Sequence, residues 1–106
     1  MIELIKSLER LVEDELVRAR REHDASFNSS NEALGVLLEE IDEVAVEVDD
    51  LAESFDAFKK SVYADDDERQ VLTAGRIYSS AIRGCAELIQ VSAMAKKAIA
   101  RAKKEK

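Results

Sequence analysis

Glu39, Glu40 and Glu43 stand close together, and Glu47 and Asp50 continue the run at spacings of four and three. On a helix of 3.6 residues per turn this spacing lines up Glu40, Glu43, Glu47 and Asp50, with Glu39 on the same flank. Such a row is either a solvated surface or a cation site. Magnesium is a hard cation that takes oxygen ligands in an octahedron, typically a few carboxylates together with substrate phosphates and water. Glu87 is the second signal, because between Ile77 and Ala95 the only charged residues are Arg83 and Glu87. A carboxylate in an otherwise apolar helix needs a partner or a proton. One candidate partner is Arg83, a turn earlier. The other is a cation shared with Glu39, Glu40 and Glu43, to which Gln90, a turn later, would add an amide oxygen. Both readings stand.

Other chemistries have little to work with. One histidine and one cysteine argue against zinc, copper or iron. There is no phosphate-binding glycine loop, no CxxC and no Ser-His-Asp set, and the acidic stretch Ala64–Glu68 lacks the alternating ligands and glycine of a calcium loop. If the chain is an enzyme, metal-assisted hydrolysis of a phosphoanhydride fits best, with manganese as a substitute for magnesium. Cys85 has no internal partner and small apolar neighbours, which fits a reduced thiol and an intracellular setting. The beginning of the chain, with Glu3 early, lacks a basic-then-apolar signal pattern, and no segment has the apolar length of a membrane span. A cytoplasmic protein with no membrane partner is the expectation.

The net charge of −7 is unevenly spread. Residues 32–68 hold 14 acidic and 2 basic side chains, whereas residues 69–106 hold 2 acidic and 9 basic. Complementary halves of this kind suit antiparallel helices or a dimer. Nucleic acid is an unattractive partner for so acidic a body. Lys96, Lys97, Arg101, Lys103, Lys104 and Lys106 are also what the dipole favours at a helix C-terminus.

These side chains need helices to position them. With no proline, three glycines and abundant Ala, Leu, Glu and Lys, the composition predicts an all-α fold in a single domain spanning residues 1–106. The first helix runs from about Ile2 to Glu22, with Ile2, Ile5, Leu8, Leu11, Val12, Glu15 and Leu16 along one mostly apolar stripe, an Asp14–Arg18 ion pair outside, and His23 at its exit as a surface or capping residue. A polar connector, Asp24–Asn31, contains Phe27 as an anchor and ends in Ser29-x-x-Glu32, a capping box. The second helix runs from about Asn31 to Val62, with Leu34, Leu37, Ile41, Val44, Val48 and Leu51 as its apolar stripe, and Gly35 suggests close approach of a helix or ligand. The third runs from about Asp67 to Lys103, with a break near Gly75 or Gly84, and its nearly all-apolar middle predicts burial on more than one side. A chain this short buries a limited core alone, so the bundle is expected to be completed by a second copy, as a homodimer or homotetramer.

At this point the residues carry a resemblance. Phe27-Asn28-Ser29-Ser30-Asn31-Glu32-Ala33-Leu34-Gly35-Val36-Leu37-Leu38-Glu39-Glu40-Ile41-Asp42-Glu43 resembles the opening of the MazG-like proteins, and Glu87-Leu88-Ile89-Gln90-Val91-Ser92-Ala93-Met94-Ala95 resembles their later helix. With a similar first helix, the likeness covers most of the chain. These are all-α nucleoside-triphosphate pyrophosphohydrolases, the phage and prophage type being the nearest. The resemblance implies magnesium-dependent cleavage of a nucleoside triphosphate between its α and β phosphates. It also implies that Glu40 and Glu43 match an E-x-x-E metal pair with Glu39 adjoining, and that Glu87 opens an E-x-x-D pair. Gln90 stands where that pair has aspartate, which removes one negative charge, and Asn31 stands where the family turn usually has histidine. Phosphate contacts would come from Asn31 and from Lys59, Arg76, Arg83 or Lys96, in this or another subunit. The rival expectation is a non-catalytic oligomeric or partner-binding module that retains the fold.

Overall fold

A computed structural model describes residues 1–22 and 26–104; His23, Asp24, Ala25, Glu105 and Lys106 lie outside the described residues. Three helices account for nearly all of them: α1 (Ile2–Glu22), α2 (Ser30–Tyr63) and α3 (Asp67–Lys104). No strand occurs among the described residues, as the composition predicts. The expected break in α3 is absent: the helix is continuous through Gly75 and Gly84. A helix-interior glycine costs about 1 kcal/mol relative to alanine, too little to interrupt so long a run of helix formers. No helix is long and apolar enough to cross a membrane.

The chain divides into two compact units. Residues 1–41 with 87–106 form unit 1, and residues 42–86 form unit 2. Unit 1 combines α1 with the first part of α2 and the last part of α3. Its buried apolar residues are Leu16, Ala19, Phe27, Ala33 and Ala93. Phe27 therefore is the anchor that its lone aromatic character suggests. Immediately after it, the Ser29 hydroxyl accepts the Glu32 backbone N–H at 3.1 Å, and the Ala33 N–H reaches the Ser29 carbonyl at 3.2 Å. Half of the expected capping box is present. The Glu32 carboxylate does not return to Ser29; it accepts the Asn28 side-chain amide at 3.2 Å. On α1, Arg18 bonds to Glu15 and Glu22 rather than to Asp14. Asp14 is four residues away, but the guanidinium fork reaches two carboxylates on the opposite flank at once.

Unit 2 is a helical hairpin with a tight turn. The Asp66 N–H bonds to the Ser61 carbonyl at 3.0 Å and the Asp65 N–H to the Val62 carbonyl at 3.1 Å, the bond pair of a Schellman motif. Asp65 occupies its left-handed position at φ 52°. Asp66 then caps α3, its carboxylate accepting the Arg69 N–H at 3.0 Å. The acidic linker thus contributes more than dipole complementarity: one acid ends a helix and the next begins one. A non-glycine residue in the left-handed region carries about 1–2 kcal/mol of strain, less for aspartate. Asp65→Gly relieves it, and the expected rise of a few degrees in the melting temperature is read by circular dichroism.

The core of unit 2 is built from small hydroxyl residues. Ser61, Thr73 and Ser80 are buried. Thr73 donates to the Arg69 carbonyl at 2.7 Å and Ser61 to the Phe58 carbonyl at 2.6 Å, so their buried hydroxyls are satisfied within their own helices. Along α2 the less exposed residues of unit 2 are Val44, Glu47, Leu51, Ser54, Ala57, Phe58 and Ser61. The packed face therefore includes a carboxylate position, which the apolar stripe read from sequence does not.

Two expectations about close packing fail within the chain. A side chain at Gly35 would meet nothing within 4 Å, because this residue lies on an exposed face. In unit 2 the middle of α3 is not buried on several sides: Tyr78 and Ile82 are exposed, because one neighbouring helix covers only one side of α3 there.

Candidate metal centre

Helix α2 carries Glu39, Glu40 and Glu43, and α3 carries Glu87 and Gln90. Glu40 and Glu87 belong to unit 1 and are half-buried, with one oxygen of each carboxylate shielded from solvent. Within unit 1 an oxygen of the Glu40 carboxylate lies within 4.8 Å of one of Glu87. Two shielded carboxylates at this separation repel unless a cation or a proton lies between them.

The donor set fits a hard cation. All the donors are carboxylate oxygens, with the Gln90 amide a turn beyond Glu87, and neither histidine nor thiol is among them. An octahedron with metal–oxygen bonds of about 2.1 Å sets its ligand oxygens about 3–4.2 Å apart. From a separation of up to 4.8 Å the carboxylate oxygens need to close by at most about 0.6–1.8 Å to reach that geometry, within the rotamer freedom of glutamate.

Beside the pair, unit 1 encloses a cavity of about 510 Å³ that Glu39, Glu40 and Gln90 line, together with Arg18, Phe27 and Lys97. This volume is in the range of small-molecule sites. Val36 and Met94 supply apolar wall, and Glu15 and Glu32 add two further acids. Glu15 is held below the ordinary carboxylate range chiefly by the hydrogen bond from Arg18, against an opposing effect of burial, with the guanidinium's charge a lesser aid. With Glu15 and Arg18 tied to each other, Glu32, Glu39 and Glu40 leave the cavity acidic. It attracts cations before anions.

The remaining expected residues are placed otherwise. Asn31 is exposed in the first turn of α2. Lys59, Arg76 and Arg83 all belong to unit 2, where Arg76 and Arg83 line an open groove of about 930 Å³ that also holds Asp50 and Glu53. Lys96 pairs with Glu13 in unit 1. Arg83 donates to both oxygens of Glu47, at 3.1 and 3.2 Å, and to the Ser80 hydroxyl at 3.4 Å, all within unit 2. Glu47 occupies an inward position of α2 beside Gly84, with only 16% of its side chain exposed. Glu47 is thus neither metal ligand nor ordinary surface, but half of a partly buried ion pair.

Lys97 is the residue that sequence reasoning passed over. The terminal lysines read as dipole partners for the end of α3, yet Lys97 is 5% exposed, with its ammonium 4.5 Å from the centre of the Phe27 ring. The signal was present in the spacing, since Glu87, Gln90, Met94 and Lys97 recur at three, four and three along one helix face. Searches against protein-family models, curated proteins and solved structures returned no match for this chain.

Proposed function

We propose that the carboxylates around Glu40 form a magnesium site, also able to take manganese, and that the adjoining cavity admits a nucleoside triphosphate for hydrolysis to monophosphate and pyrophosphate. The observation that carries this reading is the approach of Glu40 to Glu87 at the edge of an acidic cavity of small-molecule size, all within unit 1. Bound magnesium would supply charge neutralisation for the phosphates and a lowered pKa for a coordinated water. Glu40, Glu43 and Glu87 would hold it, with Gln90 as a neutral oxygen donor. Glu39, exposed on α2 and lining the cavity, would accept the proton of the attacking water. Water oxygen then bonds to the α phosphorus as the bridge to the β phosphate breaks, and pyrophosphate leaves with the bridging oxygen. The reading is tested by incubating the protein with magnesium and a panel of nucleoside triphosphates and measuring pyrophosphate. No release from any of them sinks it.

Gln90 also favours a second reading, in which the fold persists as an oligomeric module without catalysis, because a neutral amide weakens a magnesium site and cannot act as a base. Gln90→Asp separates the two. In a metal site the added charge tightens magnesium or manganese about tenfold or more, the scale on which neighbours of metal ligands act, as measured by manganese electron paramagnetic resonance. Unchanged affinity, or no metal binding by either form, favours the module. Both readings have the chain pairing with copies of itself, as a dimer or tetramer.

A further inference from the structure

Lys97 is a buried cation that forms no ion pair with an acid among the described residues. Its side chain is 5% exposed, and it lines the unit 1 cavity. Its close neighbour is the Phe27 ring, 4.5 Å away, whose face attracts the charge but accepts none of the ammonium's hydrogen bonds in the manner of an oxygen. Burial of an ammonium is costly unless charge or acceptors meet it. Helix α3 also sets Lys97 on the same face as Gln90 and Glu87, two to three turns along.

We propose that Lys97 is the cation that receives the polyphosphate in the unit 1 cavity, contacting the end of the phosphate chain away from the carboxylates. This rests on the reading of the cavity as a metal–polyphosphate site. A divalent ion offsets only part of the charge of a triphosphate or pyrophosphate, and the surplus would otherwise face Glu32 and Glu39. Lys97 offsets it from the neighbouring wall, and the phosphate oxygens supply the acceptors that Phe27 lacks. The position is a binding one, and its charge works on metal and anion in opposite directions. Removing it should weaken the anion while leaving the metal as tight or tighter, since one source of repulsion is gone.

The test uses the full chain, manganese and inorganic pyrophosphate, the product that the reaction leaves intact. Lys97→Met is expected to bind manganese at least as tightly as the parent by electron paramagnetic resonance, and to bind pyrophosphate at least tenfold more weakly by calorimetry in the presence of magnesium. Lys97→Arg keeps the charge and should retain pyrophosphate affinity within about threefold. Equal pyrophosphate affinity in the parent and Lys97→Met, including the absence of binding in both, overturns the assignment. Absence of manganese binding to the parent sinks the metal reading separately. Should Lys97→Met fail to fold, the Phe27 ring protons of the parent decide by nuclear magnetic resonance. They should shift on addition of pyrophosphate to the magnesium-loaded protein, and constancy of those signals overturns the assignment.

Discussion

Glu40→Gln and Glu43→Gln should each lower magnesium-dependent pyrophosphate release by at least about 100-fold, more than the 10–100-fold typical of losing a residue one shell further from a metal. The substitution keeps shape and hydrogen-bonding atoms while removing one charge, so the loss is electrostatic. Glu40 has the larger expected effect because it approaches Glu87 within unit 1. Excess magnesium should stabilise the parent strongly and Glu40→Gln weakly, because only a cation-binding native state gains from added cation. The combination of lost activity and lost metal response distinguishes a metal ligand from a structural acid. A Glu40→Gln protein that still releases pyrophosphate at the parent rate refutes the proposed centre.

How far such a centre is legible from sequence depends on the range of the interaction involved. The helix boundaries, the Ser29 cap and the buried Phe27 follow from neighbours within four residues, and the structure places them as the sequence predicts. The partner of Arg83 is 36 residues away, and no local pattern indicates it. The deeper difficulty is the rotation of α2. Read by residue type, Leu34, Leu37, Ile41, Val44, Val48 and Leu51 form one apolar stripe. In the fold that stripe divides: Leu37, Val44 and Leu51 are half-buried, whereas Leu34, Ile41 and Val48 are exposed. The inward seam instead alternates those apolar residues with Ala33, Glu40, Glu47 and Ser54, a seven-residue spacing that places two carboxylates where hydrophobic residues would be expected. A polarity scale assigns such carboxylates to solvent. What holds them inward is specific: an arginine for Glu47 and, in the proposed reading, a cation for Glu40.

The displaced half of that stripe should seat a second copy of the chain, and breaking it should dissociate the assembly. Leu34, Ile41, Val48, Phe55 and Val62 recur every seven residues along α2 and are 42–68% exposed. A strict seven-residue apolar repeat is the seam of helix-on-helix packing between chains. Ala45 and Ala52 beside the stripe are small enough for a neighbouring helix to approach closely. Placing glutamate at both Val48 and Phe55 forfeits about 1.5–3 kcal/mol of burial at each site and adds charge to the seam. A total of about 4 kcal/mol corresponds to roughly a 1,000-fold weaker association. Sedimentation equilibrium should therefore find the parent as a dimer or tetramer at micromolar concentration and the double variant as a monomer with a lower melting temperature. A control such as Asp49→Ser, one residue from the stripe and exposed, should leave the assembly intact. A parent chain that sediments as a monomer up to millimolar concentration defeats the proposal, and would leave the most regular apolar row in the sequence facing water without a physical reason.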